Sequence, residues 1–377
     1  MYAVPVYTAT NGVPGGGTLD ELRVVHPMFM GHVAGLGGRL RLDGILNLEG
    51  LTLEDGELTP GAYGEGFVDR RHPHTYLHEL VLSGEVPLAG VRTSLSAGKG
   101  FAPFGTDDPM SRAPYRYPVN HHLAQILERA VVSAAVRAGP VGLEAGLFNG
   151  DEPERPGQWP LLDRFGDSWS ARVTLYPVPG VEVQGSHARV KSPEHRPGAG
   201  PVQRKWSASA RLERPLGGSP VSLLAEWART TDAGGFFVFS SLLAESAWKT
   251  GPHRLLYRFE RTERPEEERT RDLFRSARPH LDNAVFTTTR WTVHTLGWGV
   301  ELLDGGSRAR LQPFGEFSLA SVASATPDAF DPAQFYGSRR LWAVHAGVRL
   351  GWGASMHRMG RYGAARDDGS AAAGHHH

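Results

Sequence analysis

The feature that most constrains the fold of this chain is an alternation of apolar and polar side chains in segments of about ten residues. Side chains on a β-strand point to its two faces in turn, so a period of two predicts strands rather than amphipathic helices. Residues 168–175, 205–212 and 340–352 show the pattern most clearly. One face of each segment is apolar and rich in tryptophan, and a sheet built from them needs a wide apolar environment on that side.

The connections between these segments alternate in length, and they set the strand number. Tight turns rich in Gly, Pro and Asp alternate with long polar stretches, of which residues 50–75, 100–120 and 263–284 are the longest. Counting between them predicts about sixteen strands, at residues 2–10, 22–34, 38–49, 76–86, 91–99, 126–138, 141–149, 168–177, 181–191, 204–215, 221–230, 236–250, 253–262, 285–303, 308–324 and 338–353. An even number of antiparallel strands brings both ends of the chain to the same side.

Composition excludes several classes of function. The 377 residues include 40 Lys and Arg against 40 Asp and Glu, so the chain lacks the basic surface with which proteins bind nucleic acid, and no nucleic-acid partner is expected. With no cysteine it cannot form disulfides or thiolate metal sites, whereas sites of His and carboxylates remain available. It contains no Gly-x-Ser-x-Gly, phosphate-loop or His-Glu-x-x-His motif, so we predict that it is not an enzyme.

Strand periodicity and loop lengths together predict a membrane barrel. No apolar run reaches the length of about 18 residues that a membrane helix requires. Short turns on one side and long loops on the other are typical of outer-membrane barrels, whereas a soluble sandwich has loops of similar length at both ends. We therefore predict an all-β fold, a transmembrane antiparallel up-and-down barrel of about sixteen strands in the bacterial outer membrane, with periplasmic turns and extracellular loops. The apolar tryptophan face disfavours the alternative, a soluble carbohydrate-binding or glycan-cleaving β protein.

The two ends of the sequence differ from the rest. Residues 1–4 lack the basic and apolar regions of a signal peptide, so we expect either a cytosolic protein or a mature chain. Residues 364–377 are small and charged and close in three histidines, as in a linker and tag. We predict one barrel domain over residues 1–363 and a disordered tail over residues 364–377.

Five segments carry a family resemblance. They read VDRRHPHTYLHEL at 68–80, GKGFAPFGTDDPM at 98–110, NHHLAQ at 120–125, LFNGDEPERP at 147–156 and HARVKSPE at 187–194. From about Val24 to Tyr362 the chain resembles a largely uncharacterised group of porin-like outer-membrane barrel proteins of Gram-negative bacteria. The first motif of that group is closer to VDRQHPHD, so Arg71 and Thr75 depart from it and no role is carried over to them. The resemblance implies location and architecture, and no enzymatic activity comes with it.

The polar face of the strands would line the lumen, and arginine dominates it. The arginines predicted there are Arg39, Arg41, Arg172, Arg211, Arg254, Arg258, Arg290, Arg310 and Arg349. The acids are Asp43, Glu144, Glu182, Glu226, Glu260 and Glu316. Rings of arginine select anions by Coulomb attraction, whereas Arg and Glu on adjacent strands can instead pair and stiffen the wall. The segment 100–120 is a candidate constriction that would place Asp107, Asp108, Arg112 and Arg116 in the path of solutes.

These features predict a porin-like channel for passive diffusion of small hydrophilic solutes, with a weak anion preference and no cofactor. Amphipathic tryptophan rings would form girdles at the two membrane interfaces, in contact with outer-membrane lipid and lipopolysaccharide. The predicted girdle residues are Trp169, Trp206, Trp227, Trp291, Trp342 and Trp352. The sequence is compatible with a homo-oligomer of barrels.

The alternative function is a metal-binding outer-membrane protein with a histidine cluster at the ends of two long loops. The predicted ligands are His72, His74, His121 and His122. With nearby carboxylates such as Asp69, Glu79 and Glu128, such imidazoles can hold a divalent metal such as zinc, copper or nickel. His78 follows His74 by four residues and belongs to the same group. In the competing interpretation these rings only form hydrogen bonds with the loop backbone or with arginines at the barrel mouth.

Overall fold

The computed structural model describes residues 1–12, 16–52, 74–112, 115–153, 156–191, 202–267, 285–303, 309–325, 327, 330–353 and 358–366. Sixteen antiparallel strands form one closed sheet in which each strand pairs with its neighbours in sequence. The strands are β1 Tyr2–Thr10, β2 Leu19–Gly35, β3 Leu40–Asn47, β4 Leu77–Leu88, β5 Val91–Gly100, β6 Arg129–Ala138, β7 Val141–Phe148, β8 Ser168–Leu175, β9 Val181–Lys191, β10 Val202–Leu216, β11 Ser219–Asp232, β12 Phe237–Thr250, β13 His253–Glu267, β14 Val285–Val300, β15 Ala309–Ser324 and β16 Arg340–Trp352.

Helices play a minor part in this fold. Two single-turn α-helices are described, α1 at His121–Ala124 and α2 at Pro332–Phe335, together with 3-10 turns at Leu36–Gly38, Glu49–Leu51, Pro109–Ser111, Leu162–Arg164, Ala233–Gly235 and Gly363–Ala365. None of the helices in the described ranges is long and apolar enough to cross a membrane.

The barrel closes between its first and last strands. The pairing of β1 with β16 runs from Tyr2 opposite Gly351 to Thr10 opposite Ala343. Closure leaves no strand edge with unpaired backbone groups, which is the condition for a sheet to stand in lipid. The prediction of an antiparallel barrel of about sixteen strands is confirmed. The largest difference in a strand boundary is at β13, which continues to Glu267 rather than ending at residue 262.

Short turns join the strands at the end of the barrel where both β1 begins and β16 ends. The turn between β4 and β5 consists of Ala89 and Gly90, and that between β10 and β11 of Gly217 and Gly218. All four residues have positive φ, between 47° and 82°, as two-residue hairpin turns require. We call this the short-turn end, and the opposite end the long-loop end.

The outer face of the barrel is a continuous apolar surface. Its exposed side chains include Leu22, Val33, Leu42, Leu46, Leu82, Leu95, Leu143, Leu147, Val173, Leu223, Leu242, Leu255, Leu296, Phe317, Leu319, Val344 and Leu350. Tryptophans flank this surface at both ends. Trp169, Trp206, Trp227 and Trp342 lie toward the long-loop end, and Trp248, Trp298 and Trp352 toward the short-turn end. Amphipathic indole rings at two levels match the two interfaces of a bilayer.

The inner and outer faces of β14 are exchanged relative to our prediction. We predicted Trp291 on the outer face and Arg290 in the lumen, but Trp291 is fully buried inside and Arg290 is exposed on the outer face, where it pairs with Glu263 at 2.6 Å. A shift of one residue exchanges the two faces of a strand. The error arose because this inner face is itself apolar: Trp291 packs against Tyr336, just after α2, with ring centroids 5.5 Å apart.

Candidate functional site

The lumen contains the described residues between β5 and β6, 101–112 and 115–128, which we call the constriction loop. Its apolar side chains contact the inner wall on several sides of the barrel. Phe101, Tyr117 and Leu127 pack on β2–β4; Ala102, Phe104 and Ile126 on β6, β7 and β9; Leu123 and Ala124 on β11 and β12; Val119 on β14–β16; and Tyr115 on β1, β2 and β15. The loop therefore spans the lumen, as the sequence predicted for residues 100–120.

Two wall carboxylates bind the backbone of the constriction loop. Glu316 accepts hydrogen bonds from the amide groups of Tyr115 and Arg116, the latter at 3.1 Å. Glu260 accepts a hydrogen bond from the Val119 amide at 2.6 Å and forms an ion pair with the Arg116 guanidinium group. Both acids are at most 3% exposed. They act as anchors for the loop rather than as groups that meet solutes.

Glu226 has the same role further along the loop. It accepts hydrogen bonds from the Asn120 side-chain amide at 2.8 Å and from the Thr106 hydroxyl. Three of the six acids predicted for the lumen thus lie on the inner face and bind the constriction loop: Glu226, Glu260 and Glu316.

Gly105 marks a close approach inside the constriction loop. Its φ is 67°, and a Cβ atom there would lie 1.7 Å from the carbonyl oxygen of Ala124. Its own carbonyl accepts hydrogen bonds from Arg172 at 3.1 Å and from Gln184, on β8 and β9. Only glycine fits a position that combines left-handed φ with this contact.

Several predicted lumen arginines are paired within the wall. Arg172 binds Glu144 on the adjacent strand at 2.6 Å, and Arg258 binds Glu245 at 2.8 Å. Arg112 of the constriction loop also reaches Glu245, at 3.2 Å. These buried arginines support the wall-pairing interpretation.

The two aspartates of the constriction loop are both about 1% exposed. Asp107 forms ion pairs with Arg211 of β10 and, at 3.4 Å, with Arg358. Burial alone would raise the pKa of the Asp107 carboxyl, but these guanidinium groups hold it well below its usual value. Asp108 is buried beside it rather than open to passing solutes.

A second segment enters the lumen from the short-turn end: residues 358–366, which we call the C-terminal segment. Arg358 and Arg361 both bind Glu182 of β9, at 2.9 Å and 2.5 Å. Arg366 binds Asp43 of β3 at 2.9 Å. The segment is therefore held to opposite parts of the wall by charge.

This arrangement corrects part of our tail prediction. Ala364 and Ala365 are buried, and the Ala364 amide donates a hydrogen bond to Ser94 of β5 at 2.9 Å. Together with Arg366 they belong to the barrel interior rather than to a disordered tail. Residues 367–377 lie outside the described residues.

Between the constriction loop, the C-terminal segment and the wall lies a cavity of about 930 Å³. Eight arginines line it, against three acids. The arginines are Arg41, Arg112, Arg254, Arg310, Arg349, Arg358, Arg361 and Arg366, and the acids are Asp43, Glu79 and Glu301. Arg112, Arg358 and Arg361 pair with Glu245 and Glu182, which lie outside this lining, so the other five arginines against three acids leave the cavity a modest positive excess.

The predicted arginines differ in how far they are neutralised. Arg41 pairs with Asp43 at 3.0 Å, and Arg254 with Glu301 at 3.5 Å. Arg310 forms no ion pair with any residue of the described ranges, and its guanidinium group reaches only the carbonyl of Gly353. Arg349 lines the cavity as well, with its guanidinium carbon 5.3 Å from the Phe314 ring. Four of the predicted wall arginines thus face the cavity. Arg39, by contrast, is exposed in the turn between β2 and β3.

The structure describes only part of the predicted histidine set. His72 and the side chain of His122 lie outside the described residues. The rings of His74 and His121 lie 6.4 Å apart between centroids. His74 is closer to His78, at 4.9 Å, and both imidazoles face Glu128. The spacing of four residues between His74 and His78 was the available signal for including His78.

The closed sheet and its apolar outer face can be compared with known proteins. An anion-selective porin from Comamonas acidovorans superposes with a TM-score of 0.51 at 10% sequence identity, covering 92% of this chain and 97% of that chain. The chain is an outer-membrane β-barrel. An apolar belt around a closed sheet places this barrel in the bacterial outer membrane.

Other solved outer-membrane barrels align with similar coverage. In-vitro folded OmpT, an outer membrane protein of Vibrio cholerae, gives a TM-score of 0.49 at 12% identity over 93% of this chain and 96% of that chain. OccK2 of Pseudomonas aeruginosa, solved in complex with glucuronate, gives 0.40 at 12% identity over 92% and 95%. No protein-family model and no curated protein matches the chain.

Proposed function

We propose that this barrel is a channel for passive diffusion of small hydrophilic solutes, with a preference for anions. The observation that carries the proposal is the cavity at the short-turn end, where five arginines that are not paired with acids outside its lining face three acids. In a narrow space with low-dielectric walls, such an excess of positive charge attracts anions and repels cations. The similarity to a porin named as anion-selective concerns the fold, and the preference proposed here rests on the arginines of this chain.

The solutes that pass would be small. A sixteen-stranded barrel encloses a water-filled lumen unless segments fold inward, and here both the constriction loop and the C-terminal segment do so. The solute would move along the wall formed by β13, β15 and β16, where Arg254, Arg310 and Arg349 line the cavity.

The experiment is uptake into liposomes that contain the refolded protein. Swelling rates are compared for a neutral sugar, its carboxylate derivative and its amino derivative. We expect the carboxylate to enter fastest. The double variant Arg310→Gln/Arg349→Gln should lose this advantage while still admitting the neutral sugar.

The matched control is Arg290→Gln, which removes an arginine from the outer face. With this variant the carboxylate derivative should still enter fastest, as it does with the unaltered protein. Equal entry of all three solutes into liposomes with the unaltered protein would contradict the anion preference, and no entry of any solute would contradict the channel.

A further inference from the structure

Three buried side chains meet where the residues before β4 contact the end of the constriction loop. His74, His78 and Glu128 each offer one ligand atom, and these atoms lie within 4.8 Å of one another. Their exposed fractions are 3%, 0% and 1%. Two imidazoles and one carboxylate, closely spaced and shielded from water, form the ligand set of many transition-metal sites.

Hydrogen bonds orient the groups of this cluster. Glu128 Oε1 accepts hydrogen bonds from the Thr75 amide at 2.9 Å, from the Thr75 hydroxyl at 2.7 Å and from His78 Nδ1 at 2.9 Å. The carboxylate thus faces Nδ1 of His78, and it also lies on the Nδ1 side of His74. A metal ion that binds between them takes the place of the proton on Nδ1, because ligands bind metal in their deprotonated form.

The opposite nitrogens of the two rings have no partner. Nε2 of His74 and Nε2 of His78 are both buried and form no hydrogen bond within the described part of the chain. No partner therefore fixes the proton of either ring at Nε2 or excludes it from there. The proton can reside on Nε2, which leaves a lone pair on Nδ1, the nitrogen that faces Glu128, and a metal cation can bind that lone pair.

The ammonium group of Lys99 lies near the cluster but does not bind the Glu128 carboxylate. Lys99 donates a hydrogen bond to the Thr75 hydroxyl and not to the carboxylate. Glu128 Oε2 lies 3.9 Å from His74 Nδ1, on the side of the two rings. The negative charge of the carboxylate therefore remains directed toward the imidazoles.

We propose that His74, His78 and Glu128 form a binding site for one divalent transition-metal ion of the zinc type, with water at the fourth position. Ligand atoms around tetrahedral zinc stand about 3.3 Å apart, so ligand atoms that are up to 4.8 Å apart here need to close by about 1.5 Å. Because His74 and His78 stand at the start of β4 and Glu128 ends the constriction loop, the ion would tie this loop to the wall. Of the four histidines predicted as ligands, His74 belongs to this site, and His78 and Glu128, which the sequence placed beside that set, complete it.

The test is titration of the detergent-solubilised, chelator-treated chain with cobalt chloride. His375, His376 and His377 are first changed to serine in every variant, so that the terminal histidines contribute no binding. We expect visible ligand-field bands of tetrahedral intensity that saturate at a single equivalent and disappear when zinc chloride is added. A thermal shift to higher temperature should accompany binding, because the ion binds the folded state.

Two variants and one control locate the site. His78→Ala and Glu128→Gln should each weaken cobalt binding by about tenfold or more, while His294→Ala, which alters an outward histidine bound to Tyr257, should leave it unchanged. Absence of cobalt bands in the unaltered site, or bands that persist in His78→Ala, would overturn the proposal and leave a metal-free hydrogen-bonded cluster. These readouts involve no solute transport, so they are independent of the proposed channel.

Discussion

The phenol of Tyr362 donates a hydrogen bond of 2.8 Å to the Glu79 carboxylate, across 283 residues of sequence. The same oxygen accepts a hydrogen bond of 2.9 Å from the amide of Phe101, where the constriction loop begins. Burial and the charge of Glu79 raise the pKa of the Tyr362 phenol well above its usual value, so the group stays a donor. One side chain thus joins the C-terminal segment, the loop and the wall.

Changing Tyr362→Phe should loosen this junction. It removes a donor from Glu79 and an acceptor from Phe101, and leaving buried polar groups unpaired costs about 1–3 kcal/mol each. We expect a lower unfolding midpoint in urea and larger, noisier single-channel currents. Tyr257→Phe is the matched control, since that hydroxyl bonds His294 on the outer face. Unchanged currents in Tyr362→Phe would show that the C-terminal segment does not limit conductance.

Gly105→Ala should displace the constriction loop. The added Cβ would overlap the Ala124 carbonyl, whereas Gly37→Ala imposes nearly the same φ, 66° against 67°, with no atom within 4 Å. Both variants pay the strain of a left-handed residue, about 1 kcal/mol, and only Gly105→Ala adds the collision. Thermal unfolding in detergent should therefore place Gly105→Ala clearly below Gly37→Ala. Equal midpoints would contradict the close packing of the loop.

Glu260→Ala should be strongly destabilising. It removes the carboxylate that pairs with the fully buried Arg116 guanidinium, and breaking a buried pair costs about 3–5 kcal/mol. Glu301→Ala removes a wall acid that pairs with Lys249 at a partly exposed position, where the cost is about 1 kcal/mol or less. Urea unfolding of the two variants measures the difference, and similar losses would argue against Glu260 as an anchor of the loop.

The pH dependence of Asp107 has a definite sign. Its pKa is lowered in the folded protein, so the stabilisation is complete above the usual aspartate pKa of about 3.9 and is lost as the pH falls toward the folded value. The free energy of unfolding of the unaltered protein should exceed that of Asp107→Asn by a constant amount from about pH 5 to 8, and this difference should shrink below about pH 4. Thermal unfolding across this range tests it, and an advantage that grows in acid would have the wrong sign.

Tryptophan fluorescence tests the reversed faces of β14. Brominated lipids quench indole rings that contact the membrane. Trp298→Phe should reduce the fluorescence intensity that these lipids quench, because this ring is 48% exposed on the outer face, whereas Trp291→Phe should leave the quenched intensity unchanged. Loss of quenching in Trp291→Phe would restore the orientation first predicted from the sequence.

Sequence periodicity predicted the strand number, the inserted loop and the outward orientation of five of the six tryptophans expected at the girdles, because lipid contact demands an apolar face along every strand. It failed at Trp291, where the inner face is also apolar because the constriction loop and the residues around α2 cover it. Two apolar faces leave no alternation from which the orientation can be decided.

The sequence named His78 and Glu128 as candidates for a metal site without pairing them, and it missed the contacts of the C-terminal segment, for a different reason. Arg361 and Glu182 are 179 residues apart in sequence, and His78 and Glu128 are 50 apart. No local period connects such pairs, since closure of the barrel and entry of the loop bring them together. Ala364 and Ala365 also resemble a linker in composition, although their small side chains are what fits beside β5 and β6.

The measurement that tests the central claim most directly is the reversal potential of the unaltered protein in a planar bilayer under a tenfold gradient of potassium chloride. A channel lined by the arginines of the short-turn cavity should give stepwise currents and a reversal potential of the sign set by chloride permeation. A folded protein that passes no current, or one whose reversal potential follows potassium, would contradict the account.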